Sequence, residues 1–178
     1  MATVTAACDH ARVPVIRFVQ LPPAALTALI DGDLDAAGAA AGITLSPYLV
    51  DESWLWRIRR DQIAADPASA DWIARAAVDA ETGEVVGHGG FHGPPDADGV
   101  VEVAYSVDPR FRRRGYAKAM LAALLERAAA DPAVRTVRAS IRPDNAGSLA
   151  TIAGFGFHKT GEQWDPEDGL EFVFEKAV

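Results

Sequence analysis

Residues 100–121 read VVEVAYSVDPRFRRRGYAKAML, and this stretch decides the fold of the chain. Every second position of its first half carries a large apolar side chain, which predicts a β-strand with one buried face. These positions are Val101, Val103, Tyr105 and Val107. Asp108-Pro109 ends the strand, and a helical period begins near Gly115. The stretch therefore predicts a strand, a basic turn and a helix in direct succession.

The helix after the turn has the clearest period in the chain. Its apolar residues recur at three- and four-residue spacing, and Asp131-Pro132 stops it. The predicted buried stripe consists of Ala117, Leu121, Leu124, Leu125 and Ala128.

Four arginines lie in residues 110–114, although the whole chain has a formal net charge of −8. The first turn of a helix leaves about four backbone N–H groups without partners and favours an anion there. Gly115 lets a ligand approach the backbone closely, and arginine can bind phosphate through two hydrogen bonds. The turn therefore predicts a phosphate or pyrophosphate site. On spacing alone, the four arginines are explained equally well as a solvent-exposed basic loop that offsets the negative charge of the rest of the chain.

The first third of the chain predicts a strand and three helices. Residues 13–20 are β-rich, and Gly32 divides residues 24–42 into two short helices. Asp51 or Ser53 is expected to cap a further helix that Pro67 ends. The expected apolar stripe of that helix is Trp54, Leu55 and Ile58.

The remainder predicts mainly strands. Residues 71–80 and 84–93 form a hairpin, residues 133–141 form a strand, and two final strands occupy residues 155–162 and 170–177. Asn145 is expected to cap a short helix between them. The fold class is therefore α/β of the α+β type, a single domain with a mixed, mainly antiparallel twisted sheet of about six to seven strands flanked by helices.

Composition narrows the function. A length of 178 residues suits one domain, here residues 13–178 after a flexible segment 1–12. An acidic chain is a poor ligand for nucleic acid or anionic membranes. The single cysteine, Cys8, forms no internal disulfide, and neither a signal peptide nor an apolar run of about 18 residues is visible. We expect a cytoplasmic protein without a bound metal.

Two motifs resemble those of the GNAT superfamily of N-acetyltransferases. Residues 100–121 are similar to its acetyl-CoA-binding motif, a strand followed by [Q/R]-x-x-G-x-[G/A]. Residues 142–157, RPDNAGSLATIAGFGF, are similar to its N-x-x-[S/A]…G-F segment. The matching positions are Arg112, Gly115 and Ala117, then Asn145, Ser148, Gly156 and Phe157. The resemblance is clear from residue 72 onward, and some phrases are similar to bacterial enzymes near the branch that acetylates ribosomal-protein N-termini.

The resemblance implies a bacterial acetyltransferase and a set of residues that bind acetyl-CoA. The pyrophosphate would lie on the turn, and the pantetheine arm would bond to the strand end as a further strand would. Asn145 and Ser148 would contact the coenzyme from the other side. The expected binding residues are Ser106, Val107, Arg112, Arg113, Arg114, Gly115, Tyr116, Ala117, Asn145 and Ser148.

The resemblance also implies direct acetyl transfer to a neutral amine, with a backbone N–H near Val107 stabilising the oxyanion. Glu102 is the expected base, although a solvent-facing strand carboxylate is nearly as good an interpretation. Many relatives have a tyrosine seven residues after the motif asparagine, as proton donor to the thiolate, and Ile152 occupies that position here. Ser148, Tyr116 or water would have to replace it.

Two histidines are weaker candidates for a direct role. His88 and His92 lie four residues apart on one face of the predicted strand before residue 100. Four strand residues span roughly 13 Å, too far for the two side chains to share one metal. Each is more simply explained by packing or exposure.

The acceptor remains open between a small-molecule amine and a peptide N-terminus. Residues 13–71 are expected to form its side of the site, and residues 72–178 the coenzyme-binding core. Five carboxylates on the acceptor side could attract a cation, or simply be solvated: Asp31, Asp33, Asp35, Asp51 and Glu52. A non-catalytic CoA-binding module, transfer of another acyl group and a homodimer also stay open.

Overall fold

The computed structural model describes residues 14–178, so the predictions for residues 1–13, including Cys8, lie outside the described residues. The strands are β1 (Ile16–Gln20), β2 (Arg75–Asp79), β3 (Val85–Phe91), β4 (Val100–Val107), β5 (Thr136–Ile141), β6 (His158–Asp165) and β7 (Gly169–Ala177). The helices are α1 (Pro23–Asp31), α2 (Leu34–Ala41), α3 (Tyr48–Asp51), α4 (Ser53–Ala65), α5 (Tyr116–Ala130) and α6 (Ala146–Ile152). No helix in this part of the chain is long and apolar enough to cross a membrane.

The strands form one sheet in the order β1-β2-β3-β4-β5-β7-β6. β4 and β5 are parallel, and every other neighbouring pair in the described chain is antiparallel. The β4–β5 connection contains α5, the crossover that a parallel pair requires. The predicted fold class, a mainly antiparallel sheet with helices, is confirmed.

The sheet splits between its two parallel strands. β4 pairs with β5 over three positions, from Val100↔Thr136 to Glu102↔Arg138. Beyond Glu102, β4 continues to pair with β3, while β5 follows β7. The second half of β4 therefore has an edge without a β5 partner, and this opening is where a ligand can reach the sheet interior.

Helix α5 covers the sheet beside this opening. Leu121, Leu124 and Ala128 are fully buried against it, as predicted, and full burial of one leucine stabilises by about 1.5–3 kcal/mol. Met120 and Ala119 are also buried, which the predicted stripe missed.

The predicted stripe of α4 is wrong. The side chains of Trp54 and Ile58 are 54% and 44% exposed, whereas Trp56 is 1% exposed. The buried face consists of Trp56, Arg59 and Ile63. The sequence did not predict this face because it contains a charged residue. Arg59 can be buried since its guanidinium donates to Gln62 Oε1 and to the His92 carbonyl.

Several predicted boundaries also differ. Glu52 is the N-cap of α4 without a side-chain cap bond, while Asp51 ends α3 and Ser53 begins α4. Residues 71–74 precede β2, because a 3₁₀ turn occupies Pro67–Asp71. The break at Gly32 is confirmed: it ends α1 with φ +79°, in the left-handed region that glycine adopts most easily.

Gly87→Ala is expected to destabilise the fold by about 3 kcal/mol. A Cβ at Gly87 would lie 2.1 Å from the Ser106 carbonyl oxygen, so β3 and β4 would have to move apart. Gly93→Ala is the matched control, because a Cβ there meets nothing within 4 Å. Urea denaturation of both variants tests this, and equal stabilities would contradict it.

Candidate functional site

The arginines of the basic turn have different partners. Arg110 forms an ion pair with Asp108 at 2.7 Å, and this contact lowers the pKa of the buried Asp108 carboxyl. Arg112 Nε donates to the Val107 carbonyl at 3.2 Å, and Arg114 lies 5.5 Å from the Phe111 ring centroid. Arg110 therefore braces the turn, which leaves the others to supply positive charge.

The backbone of the turn is shaped around the N-terminus of α5. Gly115 is the N-cap of α5 with φ +87°, and Arg113 also has a positive φ of 60°. A non-glycine residue in this region is uncommon and marks a constrained backbone. The amides of the first α5 turn stay free for a ligand, because an α-helix cannot satisfy them internally.

A cavity of about 690 Å³, called here the arginine cavity, opens in front of this helix end. It is bounded by the second half of β4, the basic turn, the first turn of α5 and one side of α6. The lining residues are Tyr105, Ser106, Val107, Phe111, Arg112, Arg113, Gly115, Tyr116, Ala117, Lys118, Asn145, Gly147, Ser148 and Thr151.

The arginine cavity gathers nine of the ten residues predicted to bind the coenzyme. Arg114 is the exception, because it lines a neighbouring cavity beside Asp79 and Tyr116. Asn145 caps α6 as predicted, and its Oδ1 accepts from the Ser148 backbone N–H at 3.0 Å. The structure therefore brings the two sequence motifs together on opposite sides of one opening.

The free edge of β4 contributes backbone groups to the opening. The Glu102 carbonyl accepts from His92 N–H, and Asp108 N–H donates to the Val86 carbonyl, so both face β3. Strand amides alternate in direction, and the β3–β4 pairing has no register shift. The N–H groups of Val103, Tyr105 and Val107 therefore face the gap between β4 and β5.

A second cavity, of about 460 Å³, lies deeper in the split and is called here the acidic cavity. Its carboxylates come from three strands and the β6–β7 turn: Glu102, Asp165, Asp168 and Glu171. The carboxylates that sequence assigned to the acceptor side line neither cavity, and Asp33 instead caps α2. Strand pairing brought distant acidic residues together in a way that no local pattern shows.

The two cavities meet at Tyr105, Asn145 and Ser148, which line both. Sequence analysis placed Tyr105 on the apolar face of β4 and missed it as a site residue. No local signal could have revealed it, because its position depends on the separation of β4 from β5.

Glu102 and His92 lie side by side in the acidic cavity. Glu102 Oε1 is 3.9 Å from His92 Nδ1, and the backbone N–H of His92, the residue after β3, donates to the Glu102 carbonyl at 2.8 Å. Burial lowers the pKa of His92, although the Glu102 charge opposes this effect. A neutral imidazole can accept a proton, so the pair offers two acceptors in one place.

His88 has a different environment. Its ring stacks on Tyr48 and meets Trp56 edge-on, with centroids 6.0 and 5.2 Å away. Glu52 Oε2 is 4.0 Å from Nε2, beyond hydrogen-bond distance. Burial, aided by Arg59, lowers the pKa of His88 to about 4, so His88 is neutral at pH 7.

His88 is therefore expected to make the fold acid-sensitive. In the unfolded chain His88 binds a proton below about pH 6.5, whereas in the folded chain it does so only near pH 4. The free energy of unfolding therefore decreases as the pH is lowered from about 6.5 to about 4. Between pH 7.5 and pH 5, the free energy of unfolding of His88→Asn should decrease by about 2 kcal/mol less than that of the wild type. Urea denaturation at both pH values measures this, and equal losses in both proteins would contradict it.

The residues considered as proton donors to the thiolate differ in burial and in hydrogen-bond partners. Ile152 is 2% exposed and packs in the core. The Tyr116 hydroxyl donates to Asp79 Oδ2 at 2.7 Å, and burial with this contact raises the pKa of Tyr116 to about 12. The Tyr116 hydroxyl is thus held by Asp79 of β2, whereas Ser148 lines both cavities.

Fold and site together define an α/β protein with a split sheet and an arginine-rich turn at a helix N-terminus beside the split. A family model described as acetyltransferase (GNAT) domain matches residues 25–158. The chain belongs to the GNAT acetyltransferase domain family.

Two curated proteins show sequence similarity. An uncharacterized N-acetyltransferase, YjdG of Bacillus subtilis (strain 168), is 34% identical over 82 residues, 44% of this chain and 49% of that protein. The L-2,4-diaminobutyric acid acetyltransferase of Streptomyces anulatus is 34% identical over 113 residues, 58% of this chain and 64% of that protein. The matches therefore span about half to two thirds of these relatives.

Solved structures share the fold. RimJ of Mycobacterium smegmatis, in complex with CoA-disulfide, superposes with a TM-score of 0.65 at 16% identity. The match covers 93% of this chain and 83% of that one. At this identity the likeness concerns the fold.

Proposed function

We propose that this protein transfers the acetyl group of acetyl-CoA to a primary amine, and that the acceptor is a small amine with a second positive charge. The observation that carries the proposal is the pair of connected cavities in the split sheet, one basic and one acidic. Membership in the acetyltransferase domain family and the names of the two curated relatives support the reaction class.

The residues of the arginine cavity suit the coenzyme. The N-terminus of α5, with Arg112 and Arg113 beside it, offers backbone donors and positive charge to a pyrophosphate. Gly115 has no Cβ to obstruct that approach. The free edge of β4 offers N–H and carbonyl groups to an extended amide-bearing arm, as a neighbouring strand would. Acetyl-CoA supplies an activated acyl group when bound.

The residues of the acidic cavity suit an amine. Its volume of about 460 Å³ lies in the usual range for small-molecule pockets. Four carboxylates around one small volume attract a cation with more than one charge. The S. anulatus relative is named for a diamino acid, which supports an acceptor of this kind.

The Glu102–His92 pair suits the proton transfer. An amine with a pKa near 10 must lose a proton before its nitrogen can attack. Glu102 lies in the acidic cavity, with His92 Nδ1 at 3.9 Å, so either side chain can accept that proton at neutral pH. The Tyr105 and Val107 N–H groups face the gap and can stabilise a developing oxyanion.

Thiol release from acetyl-CoA over an amine panel tests the proposal. The panel holds L-2,4-diaminobutyrate, spermidine, a monoamine and an alanine-initiated peptide. We expect release that requires both protein and amine and is fastest with the multiply charged small amines. Binding of acetyl-CoA without amine-dependent release would instead favour a non-catalytic CoA-binding module.

A further inference from the structure

The Tyr105 hydroxyl is buried where the two cavities meet. Among residues 14–178, no hydrogen-bond partner reaches its oxygen. The two other tyrosines of the chain are satisfied, since Tyr48 contacts Ser106 Oγ at 2.5 Å and Tyr116 contacts Asp79. A buried hydroxyl without a partner destabilises the fold, so its partner is expected in a bound molecule.

The surroundings of Tyr105 leave its hydroxyl free to donate. Burial raises the pKa of Tyr105, against a smaller lowering by the Thr151 and Ser148 hydroxyls, which lie nearby but outside the distance and angles of a hydrogen bond to it. Thr151 Oγ1 donates its proton to the Gly147 carbonyl at 2.8 Å, so it has none to give to the Tyr105 oxygen. Tyr105 therefore keeps its proton at neutral and mildly alkaline pH and can give one hydrogen bond to a ligand acceptor.

The position of Tyr105 indicates which part of a ligand it meets. A ligand whose phosphates lie at the N-terminus of α5 must follow the free edge of β4 toward Glu102. Val107 and Glu102 are five strand residues apart, roughly 16 Å. Tyr105 lies between them, at the cavity junction where an acyl group must meet an amine held beside Glu102.

We infer that Tyr105 is a catalytic residue that donates a hydrogen bond to the thioester sulfur while the carbon–sulfur bond breaks. The inference rests on the proposed function and deepens it, because it assigns stabilisation of the leaving group. The sequence resemblance left this role open among Ser148, Tyr116 and water, because Ile152 is apolar. In the structure the Tyr116 hydroxyl is bonded to Asp79.

The step balances without a further reactant. The bond between the amine nitrogen and the acetyl carbon forms, and the carbon–sulfur bond breaks with its electron pair remaining on sulfur. The amine proton passes to Glu102. Tyr105 keeps its own proton and stabilises the thiolate by a hydrogen bond; solvent then protonates the sulfur and takes the proton from Glu102.

Titration of the thiol of bound CoA tests the inference without any amine. The thiolate has its own ultraviolet absorbance, so its pKa is measured directly in complexes of CoA with the wild type, Tyr105→Phe and Ser148→Ala. A hydrogen bond to the charged form lowers a pKa. We expect the thiol pKa in the Tyr105→Phe complex to be about one unit above that in the wild-type complex. Ser148→Ala should shift it less.

Two measurements separate a chemical role from a structural one. Acetyl-CoA affinity by calorimetry should differ by less than about threefold between wild type and Tyr105→Phe, since the hydroxyl acts on the departing sulfur. The Tm of free Tyr105→Phe should equal or exceed that of the wild type, because the variant loses an unpaired buried hydroxyl.

The outcomes distinguish this inference from the proposed function. An equal thiol pKa in wild type and Tyr105→Phe overturns the role of Tyr105, as does a larger shift in Ser148→Ala. A lower Tm or a lost acetyl-CoA affinity in Tyr105→Phe also overturns it, because the hydroxyl would then serve the fold or coenzyme binding. A wild type that binds no acetyl-CoA contradicts the proposed function itself, and the inference fails with it.

Discussion

Gly115→Glu should weaken acetyl-CoA binding by about 100-fold or more, equivalent to about 2.7 kcal/mol. The carboxylate would stand at the N-cap of α5, where the free amides and the helix dipole favour an anionic ligand. A like charge there repels a pyrophosphate and also occupies the donors it needs. Isothermal titration calorimetry of both proteins with acetyl-CoA measures the effect.

Gly115→Ala is the matched control for this variant. Any side chain at Gly115 carries the cost of φ +87°, about 1–2 kcal/mol, and its Cβ meets Pro14 Cδ at 3.2 Å. Gly115→Ala therefore shares the backbone strain of Gly115→Glu without its charge, and should lose less than about tenfold in affinity. Equal losses in the two variants would show that strain and not charge weakens binding, and would contradict the anion site.

Glu102→Gln should lower kcat by roughly 10²–10⁴-fold with the best amine of the panel, because the amide keeps the shape of the side chain but cannot accept the amine proton. The rate of the variant should rise with pH, as more of the free amine is present unprotonated. Steady-state kinetics between pH 6 and pH 9, with acetyl-CoA affinity measured in parallel, test this expectation.

Two other glutamates provide controls for Glu102→Gln. Glu171 lines the same cavity, so Glu171→Gln removes the same charge without removing the proposed base and should raise the amine KM more than it lowers kcat. Glu162 is exposed on β6, pairs with Lys159 and lines neither cavity, so Glu162→Gln should change neither parameter. If Glu171→Gln lowers kcat as much as Glu102→Gln, Glu102 has no special role as base.

Much of the coenzyme side of the site could be predicted from sequence, because its determinants are local. The alternation on β4, the break at Asp108-Pro109 and the period of α5 are each set within a few residues. Asn145 was recognisable as a cap because a capping side chain bonds to a backbone amide only three residues away. The arginine turn followed from these elements, since it connects a strand to a helix N-terminus.

The face of α4 shows where local reasoning failed. Its sequence permits two apolar stripes, one through Trp54 and Ile58 and one through Trp56 and Ile63. The second stripe is buried because Trp56 packs on His88 and donates to the Leu49 carbonyl, and because Arg59 finds carbonyl partners. Those partners lie on α3, on β3 and just after β3, so the choice depends on packing and not on spacing.

The sequence by itself determined the order of strands and helices, the basic turn and the cap of α6, since hydrogen bonds and side-chain periods within a few residues decide these features. The tertiary structure alone decided which distant side chains meet. β4 pairs with β5 only as far as Glu102, and the cavity beside this split gathers Glu102 of β4, Asp165 of β6 and Glu171 of β7. The Tyr105 hydroxyl beside this split is buried without a partner. The sequence could not show this, because burial and hydrogen bonding between distant residues depend on how the chain packs.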